Sequence, residues 1–294
     1  MQKIREEIYR WCFALLAFTS VVFLVGITLT LFSEGLPFFK EVSLSSFIFG
    51  TEWYPTHQDP SFGALPLITA SIMVTVGALF VCVPLGIGSA LYLSEIAGYR
   101  QKSMLKPVIE ILASIPSVVY GFFGLVIVAP FVQNLFNLPT GLTAFTGSLI
   151  LGIMATPTVA SLAEDAVSFV PKSFREASLA LGANRWQTLT KVVIPSAGSG
   201  ISTAIILGIS RAIGETMTVL MVTGGSAVIP RSFFRPVRPM TSTIAAEMGE
   251  TVMGGLHYNS LFVIGIILFV ITLFFNILAE FISRRFRIKL GAGR

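Results

Sequence analysis

Apolar positions gather into long stretches at roughly 11–32, 64–93, 111–136, 142–163, 196–223 and 260–279, and most charged positions fall between them. A helix needs about 20 predominantly apolar residues to cross a hydrocarbon core, so each stretch predicts one membrane-spanning helix. Only the fifth contains charges, Arg211 and Glu215. The second is longer than one straight crossing, and Pro84 with Gly86 and Gly88 predicts a kink or a tilt. Pro116 and Pro157 predict similar bends, tolerated where neighbouring helices satisfy the freed backbone groups.

Composition supports this reading. The chain is 54% hydrophobic and 12% charged, with a mean hydropathy of +0.82, whereas soluble domains carry about 25% charged residues. An ordinary soluble enzyme does not fit. Lysine and arginine collect at Lys3, Arg5 and Arg10; at Arg100, Lys102 and Lys106; at Lys172, Arg175, Arg185 and Lys191; and at Arg284, Arg285, Arg287, Lys289 and Arg294. These groups alternate as cytoplasmic segments should, which places both termini in the cytoplasm. The first connection instead sets Lys40 against Glu34, Glu41, Glu52 and Asp59. The last outside connection breaks the rule with Arg231, Arg235 and Arg238. Topology accounts for the net charge of +5 without a nucleic-acid partner.

The first stretch is too long for a signal-peptide core, and TLTLFSEGL offers no small-residue cleavage site. Cys12 and Cys82 fall inside spans, and His57 and His257 in separate outside loops, so neither pair predicts a disulfide or a metal site. The whole reads as a single transmembrane domain over 1–294, with a core at about 64–283 and outside loops at about 33–63 and 224–258.

The connection at about 172–195 contains SFREASLALGANRWQTLTKVVIP. Ser173 followed by Glu176 has capping-box spacing, which predicts a helix beginning at Phe174. Gly182 suits a left-handed closing residue, and Asn184 with Gln187 predicts the cap of a second helix. Pro195 either limits that helix or marks the start of the next span. Phe174, Trp186, Leu189 and Val192 are its expected apolar contacts. A DNA-reading helix-turn-helix, a loop lying on the bilayer surface and a docking element for a soluble partner all use such a corner.

EASLALG, nine residues, then VVIP resembles the cytoplasmic loop of ABC transporter permeases, whose pattern is E-A-A, three residues, G, nine residues, I-x-L-P. Glu176, Ala177, Gly182 and Pro195 match it, while Ser178 replaces the second alanine and Val192 and Ile194 differ at the aliphatic positions. SRAIGET, MTSTIAAEMGE and EDAVSFVPKSFREASLALGA further resemble permeases of bacterial phosphate import, PstC-type, over most of 60–285. The resemblance implies a type I ABC importer permease architecture in the bacterial inner membrane, with coupling helices that seat on an ATP-binding subunit. Ser173, Glu176, Ala177, Gly182, Arg185 and Trp186 are then the expected coupling residues. It also implies a second, PstA-type permease, two PstB-type ATP-binding subunits and an external PstS-type phosphate-binding protein. No G-x-x-x-x-G-K-[ST] occurs in the chain. ATP and magnesium are therefore expected on the partner ATPase, and no cofactor or enzymatic activity in this chain.

Arg211 and Glu215 are spaced i and i+4, which predicts an ion pair on one helix face. Such a pair can be a neutralised clamp between spans. Alternatively Arg211 lines an anion path, its planar fork suited to phosphate oxygens, with Glu215 orienting it. Outside, Thr241, Ser242 and Thr243 are expected to cap a helix near Ile244 and, with Arg231, Arg235 and Arg238, to receive an anion. Those arginines can equally contact an external binding protein or lipid headgroups. Glu247 and Glu250 are candidate partners for them. Permeases for molybdate or sulfate, and an ion-coupled secondary transporter, are the alternative functions.

Overall fold

A computed structural model describes residues 2–289. The side chains of Lys3, Arg5, Arg284, Arg285, Arg287, Lys289 and Arg294 lie outside what it describes. Among the described residues, six helical segments are long and apolar enough to cross a membrane, as the hydropathy pattern predicts. The first is α1 (Gln2–Gly35), which lies against the last helix with an almost wholly exposed apolar surface.

The hydropathy pattern predicts only a long outside connection for the next segment, yet it folds. A 3-10 turn at Leu36–Lys40, α2 (Leu44–Phe49) and a hairpin of β1 (Trp53–Tyr54) and β2 (Ser61–Phe62) form a small cap. Its core is aromatic. Phe38, Phe47, Trp53 and Phe62 are buried together with Leu67, Met240, Leu261 and Ile264, and the Phe38 and Phe47 rings meet edge-on at 5.1 Å.

The second span, α3 (Leu65–Leu91), carries Pro84 within one continuous helix and ends in a wide π-helical turn, Tyr92–Ile96. Then α4 (Tyr99–Ser114) runs along the coupling-loop end of the molecule. Pro116 separates it from α5 (Ser117–Phe123), so the predicted bend is a full break and the third span starts at Ser117 rather than near 111. A second π turn, Gly124–Val128, joins α5 to α6 (Ala129–Leu135). The fourth span is α7 (Ala144–Ser168), capped by the Thr143 hydroxyl.

Between the fourth and fifth spans stand α8 (Lys172–Ala180) and α9 (Arg185–Thr188). From α9 the chain continues through a third π turn, Leu189–Val193, into α10 (Ile194–Ile213) without leaving helical conformation. Pro195 sits in the first turn of α10 and does not end the preceding helix. A proline has no N–H to close an ordinary turn, and the wider turn ahead of it absorbs the mismatch. Short helices α11 (Met217–Val222) and α12 (Met240–Glu247) precede α13 (Leu256–Lys289), the sixth span.

The centre of the bundle is α3, α7 and α10. Small residues let these backbones approach, as at Ala90, Ala163 and Ala204, all buried. At Gly152 a Cβ would meet the Ala78 carbonyl oxygen at 2.8 Å. This closeness fixes the relative heights of side chains on facing helices.

Candidate functional site

The fifth apolar stretch is not one helix. α10 stops at Ile213 and α11 begins at Met217, with Gly214, Glu215 and Thr216 between them. Arg211 and Glu215 therefore do not share a helix face, and among the described residues no ion pair joins them. Glu215 instead turns its carboxylate to the start of α11, where Oε1 accepts from the Thr218 amide at 3.4 Å. Unpaired amides at a helix start favour a negative charge. The Glu215 carbonyl oxygen accepts from the Thr241 hydroxyl at 2.6 Å, which ties the break to α12.

Arg211 is exposed and finds a partner that sequence spacing gave no means of choosing. Its Nη1 donates to Thr158 Oγ1 of α7 at 2.9 Å. Thr158 lies ten residues from Ser168 in a continuous helix, about 15 Å along the axis. The guanidinium thus meets α7 deep within the span. No other acceptor for its fork occurs among the described residues.

At the coupling-loop end, Gly182 has φ +84°, as a left-handed closing residue should. Asn184 and Gln187 form the expected reciprocal cap, at 2.8 and 2.9 Å. The other expected cap is absent. α8 begins at Lys172 behind Pro171, which places Ser173 inside the first turn, and Ser173 and Glu176 do not form a capping box. Pro171 takes the N-cap position, and no side chain bonds the free amides of the first turn. Ser178, a departure from the permease pattern, shares a hydrogen bond with Thr188 at 3.0 Å and so staples α8 to α9.

Of the expected apolar contacts, Leu189 is buried with Val167, Val170 and Val193. Trp186 instead points outward at 70% exposure, beside Leu181 at 89%. Glu176, Ala177 and Arg185 are exposed on the same corner. Arg175 holds this corner to the body: its Nε donates to Glu95 Oε1 at 3.0 Å, and Nη2 donates to the Val167 carbonyl at 3.1 Å. Close by, Glu164 accepts from Lys102 at 2.6 Å, Lys106 at 2.7 Å and Ser168 at 2.8 Å. Asp165 adds a bond to Lys106 at 3.1 Å. Hydrogen bonding to Glu164 is the main cause raising Lys106 above the ordinary lysine pKa. In the sequence the two lysines carry only a topology signal, because their partner lies 62 and 58 residues further on.

At the opposite end, α12 begins at Met240 behind Pro239, not near Ile244. Thr241, Ser242 and Thr243 are buried in its first turn and do not cap it. Ser242 and Thr243 donate to the Pro239 carbonyl at 2.8 and 3.0 Å. The Met240 amide is taken by Ser71 Oγ at 2.9 Å. Arg238 is drawn into the protein by an ion pair with Glu247 and a bond to the Gly225 carbonyl at 2.8 Å. Glu247 also accepts from Trp53 at 3.1 Å and pairs with His257 at 2.9 Å, which joins the cap to the last loop. Glu250 is exposed and plays no part in that network. Arg231 and Arg235 remain exposed, and among the described residues their side chains enter no ion pair. No cluster of metal-ligating side chains occurs among the described residues.

Residues 82–288 match the family described as "Binding-protein-dependent transport system inner membrane component". The chain belongs to this family. Among its relatives, the probable ABC transporter permease YqgH of Bacillus subtilis is 41% identical, with 89% of this chain and 85% of that protein aligned. The phosphate transport system permease PstC of Haemophilus influenzae is 33% identical over 94% of this chain and 92% of its own length. Among solved structures, a bacterial ABC transporter involved in import of the acidic polysaccharide alginate superposes with a TM-score of 0.65 at 16% identity, covering 96% of this chain and 99% of that one. The MetNI methionine ABC transporter superposes with a TM-score of 0.56 at 20% identity, over 76% of this chain and 94% of that one. The six-helix membrane permease thus has the ABC importer fold. As a binding-protein-dependent membrane component it works within a transport assembly.

Proposed function

We propose that this permease is the PstC-type subunit of an ATP-driven phosphate importer, with Arg211 as an anion ligand on the translocation path. The observation that carries the path is Arg211 itself: a permanently charged guanidinium deep in a span, with one arm held by Thr158 and the rest of its fork unspent. An unpaired arginine near a bilayer centre costs about 2.5–3.5 kcal/mol even on insertion scales. A position that costs this much is best explained by function, and a planar fork of donors suits a tetrahedral oxyanion. The PstC relatives favour phosphate over molybdate or sulfate.

In this reading a PstA-type permease covers the exposed Arg211 face, and two PstB-type subunits hydrolyse ATP with magnesium. A PstS-type protein delivers phosphate from outside. The exposed apolar corner of Leu181 and Trp186 seats in the ATPase. ATPase closure moves that corner, and α10, continuous with α9 through the π turn, carries the motion to Arg211. Arg231 and Arg235 supply the outer positive potential that meets the anion or its binding protein. Both termini and the coupling loop face the cytoplasm of a bacterial inner membrane.

The test is ATP-dependent uptake by the whole complex in proteoliposomes. Arg211→Gln is expected to leave complex yield unchanged and to abolish phosphate uptake, because the permanent charge and fork are lost. Adding Glu215→Gln should not restore transport, since Glu215 serves α11 rather than Arg211. Near-normal uptake by Arg211→Gln would make Arg211 a scaffold residue. Uptake of molybdate or sulfate in preference to phosphate would replace the substrate while keeping the path.

A further inference from the structure

We infer that Thr158 is the positioning residue for the anion site: a neutral hydroxyl that aims the Arg211 guanidinium without quenching its charge. The inference rests on the reading of Arg211 as an anion ligand and assigns the orienting role to Thr158, not Glu215. The contact joins residues on different spans at 2.9 Å. Those spans cannot drift apart or slide freely, because α7 and α10 interlock at the next residue. A Cβ on Gly208 would meet Val159 Cγ2 at 2.7 Å. Thr158 and Arg211 are therefore presented to one another by packed helices, and a site on rigid elements holds its geometry.

The chemistry of the partner matters. A carboxylate beside Arg211 would form a bidentate ion pair and compete directly with an incoming anion. Glu215 is the acid nearest in sequence, and it is turned to the α11 amide of Thr218. A threonine hydroxyl accepts one N–H and leaves the full positive charge in place. Thr158 also differs from the hydroxyls around it. Thr156 bonds back to the Gly152 carbonyl at 2.8 Å and Ser148 to the Ala144 carbonyl at 2.8 Å, the usual use of a hydroxyl inside a helix. The hydrogen bond of Thr158 goes across to α10 instead. Its own proton has no acceptor among the described residues, so a hydroxyl donor stands beside the open fork.

The experiment compares Thr158→Ser, Thr158→Val, Thr158→Asp and Arg211→Gln in the reconstituted complex with saturating external binding protein. It reads initial phosphate uptake, ATPase stimulation by the binding protein, and complex yield. Positioning predicts the order Ser, then Val, then Asp. Serine keeps uptake within about twofold of the parent, and valine lowers it about tenfold, the size expected for one lost hydrogen bond to a charged group. Aspartate lowers it further, although it binds Arg211 more strongly, because it occupies the fork. Yield and ATPase stimulation should stay near the parent values throughout. A packing role predicts the reverse for the first two, since valine matches the shape of threonine and serine lacks its methyl. Valine transporting as well as serine therefore overturns the inference. If Arg211→Gln is inactive while Thr158→Val is normal, Thr158 loses its role and the anion path stands. If Arg211→Gln transports normally, both fall together.

Discussion

Glu164 is 1% exposed at the coupling-loop end of α7, and its carboxylate is held by two lysines on α4 and by Ser168. The burial is unequal. The lysine side chains are 37% and 35% exposed against 2% for the glutamate. Losing Glu164 leaves cations that can turn to water, whereas losing the lysines strands a buried charge. Glu164→Gln should accordingly cost about 1 kcal/mol, and the double change Lys102→Met with Lys106→Met should cost near the lower end of roughly 3–5 kcal/mol. Thermal unfolding of the purified complex measures both. The sign of the pH dependence follows from Lys106, whose pKa is raised from 10.5 chiefly by hydrogen bonding to Glu164. A raised lysine contributes fully below its unfolded value and loses that contribution as pH climbs through the folded one. The cost of Lys106→Met should therefore be constant from about pH 6 to about pH 9 and shrink only above the ordinary lysine range. A cost that faded toward neutral pH would contradict the assignment.

The coupling corner shows what a short element owes to its ends. Around Gly182 a side chain would meet nothing within 4 Å, so its positive φ is the whole constraint. Gly182→Asn should be tolerated, because asparagine visits the left-handed region. Gly182→Val should cost about 1–2 kcal/mol of backbone strain and swing α8 relative to α9. ATPase stimulation by the binding protein is the readout, with valine losing it and asparagine keeping it at equal complex yield. The corner has two further supports, the Asn184 cap and the Ser178–Thr188 staple. Removing either should lower coupling less than Gly182→Val does, since each is one hydrogen bond of roughly 1 kcal/mol.

Two ends of the molecule emerge from its contacts. Lys102, Lys106, Glu164, Arg175 and Glu95 gather at one end, and Trp53, Arg238, Glu247 and His257 at the other. By the positive-inside rule, the basic groups at the first end are expected on the cytoplasmic side. Single cysteines at 176 and 235, in a background of Cys12→Ser and Cys82→Ala, test this with an impermeant thiol reagent in intact cells. Position 235 should label, and position 176 only after the membrane is opened. Arg175 itself is kept, because it ties the loop to Glu95 in the first π turn and to the Val167 carbonyl of α7. Labelling of position 176 from outside would invert the topology and with it the direction of transport proposed here.

The hydropathy pattern by itself determined the six spans, because crossing a hydrocarbon core demands about 20 apolar residues in a row and that demand is local. Residue type and spacing determined the turn at Gly182 and the cap at Asn184, each set by residues within one helical turn. The two-helix corner they form was legible for the same reason. Partners across the bundle were not. Spacing put Glu215 opposite Arg211 by assuming that the helix continued, but α10 ends at Ile213 and the guanidinium meets Thr158, 53 residues away in sequence. The same limit hid the lysine pair on Glu164 and the Trp53 and His257 bonds to Glu247, whose pairing with Arg238 was among the expected contacts. It also hid the starts of α8 and α12, where prolines displaced the expected caps. A charge away from water takes whichever hydrogen-bonding partner the packed backbones bring within about 3 Å. Only the tertiary fold decides which one that is.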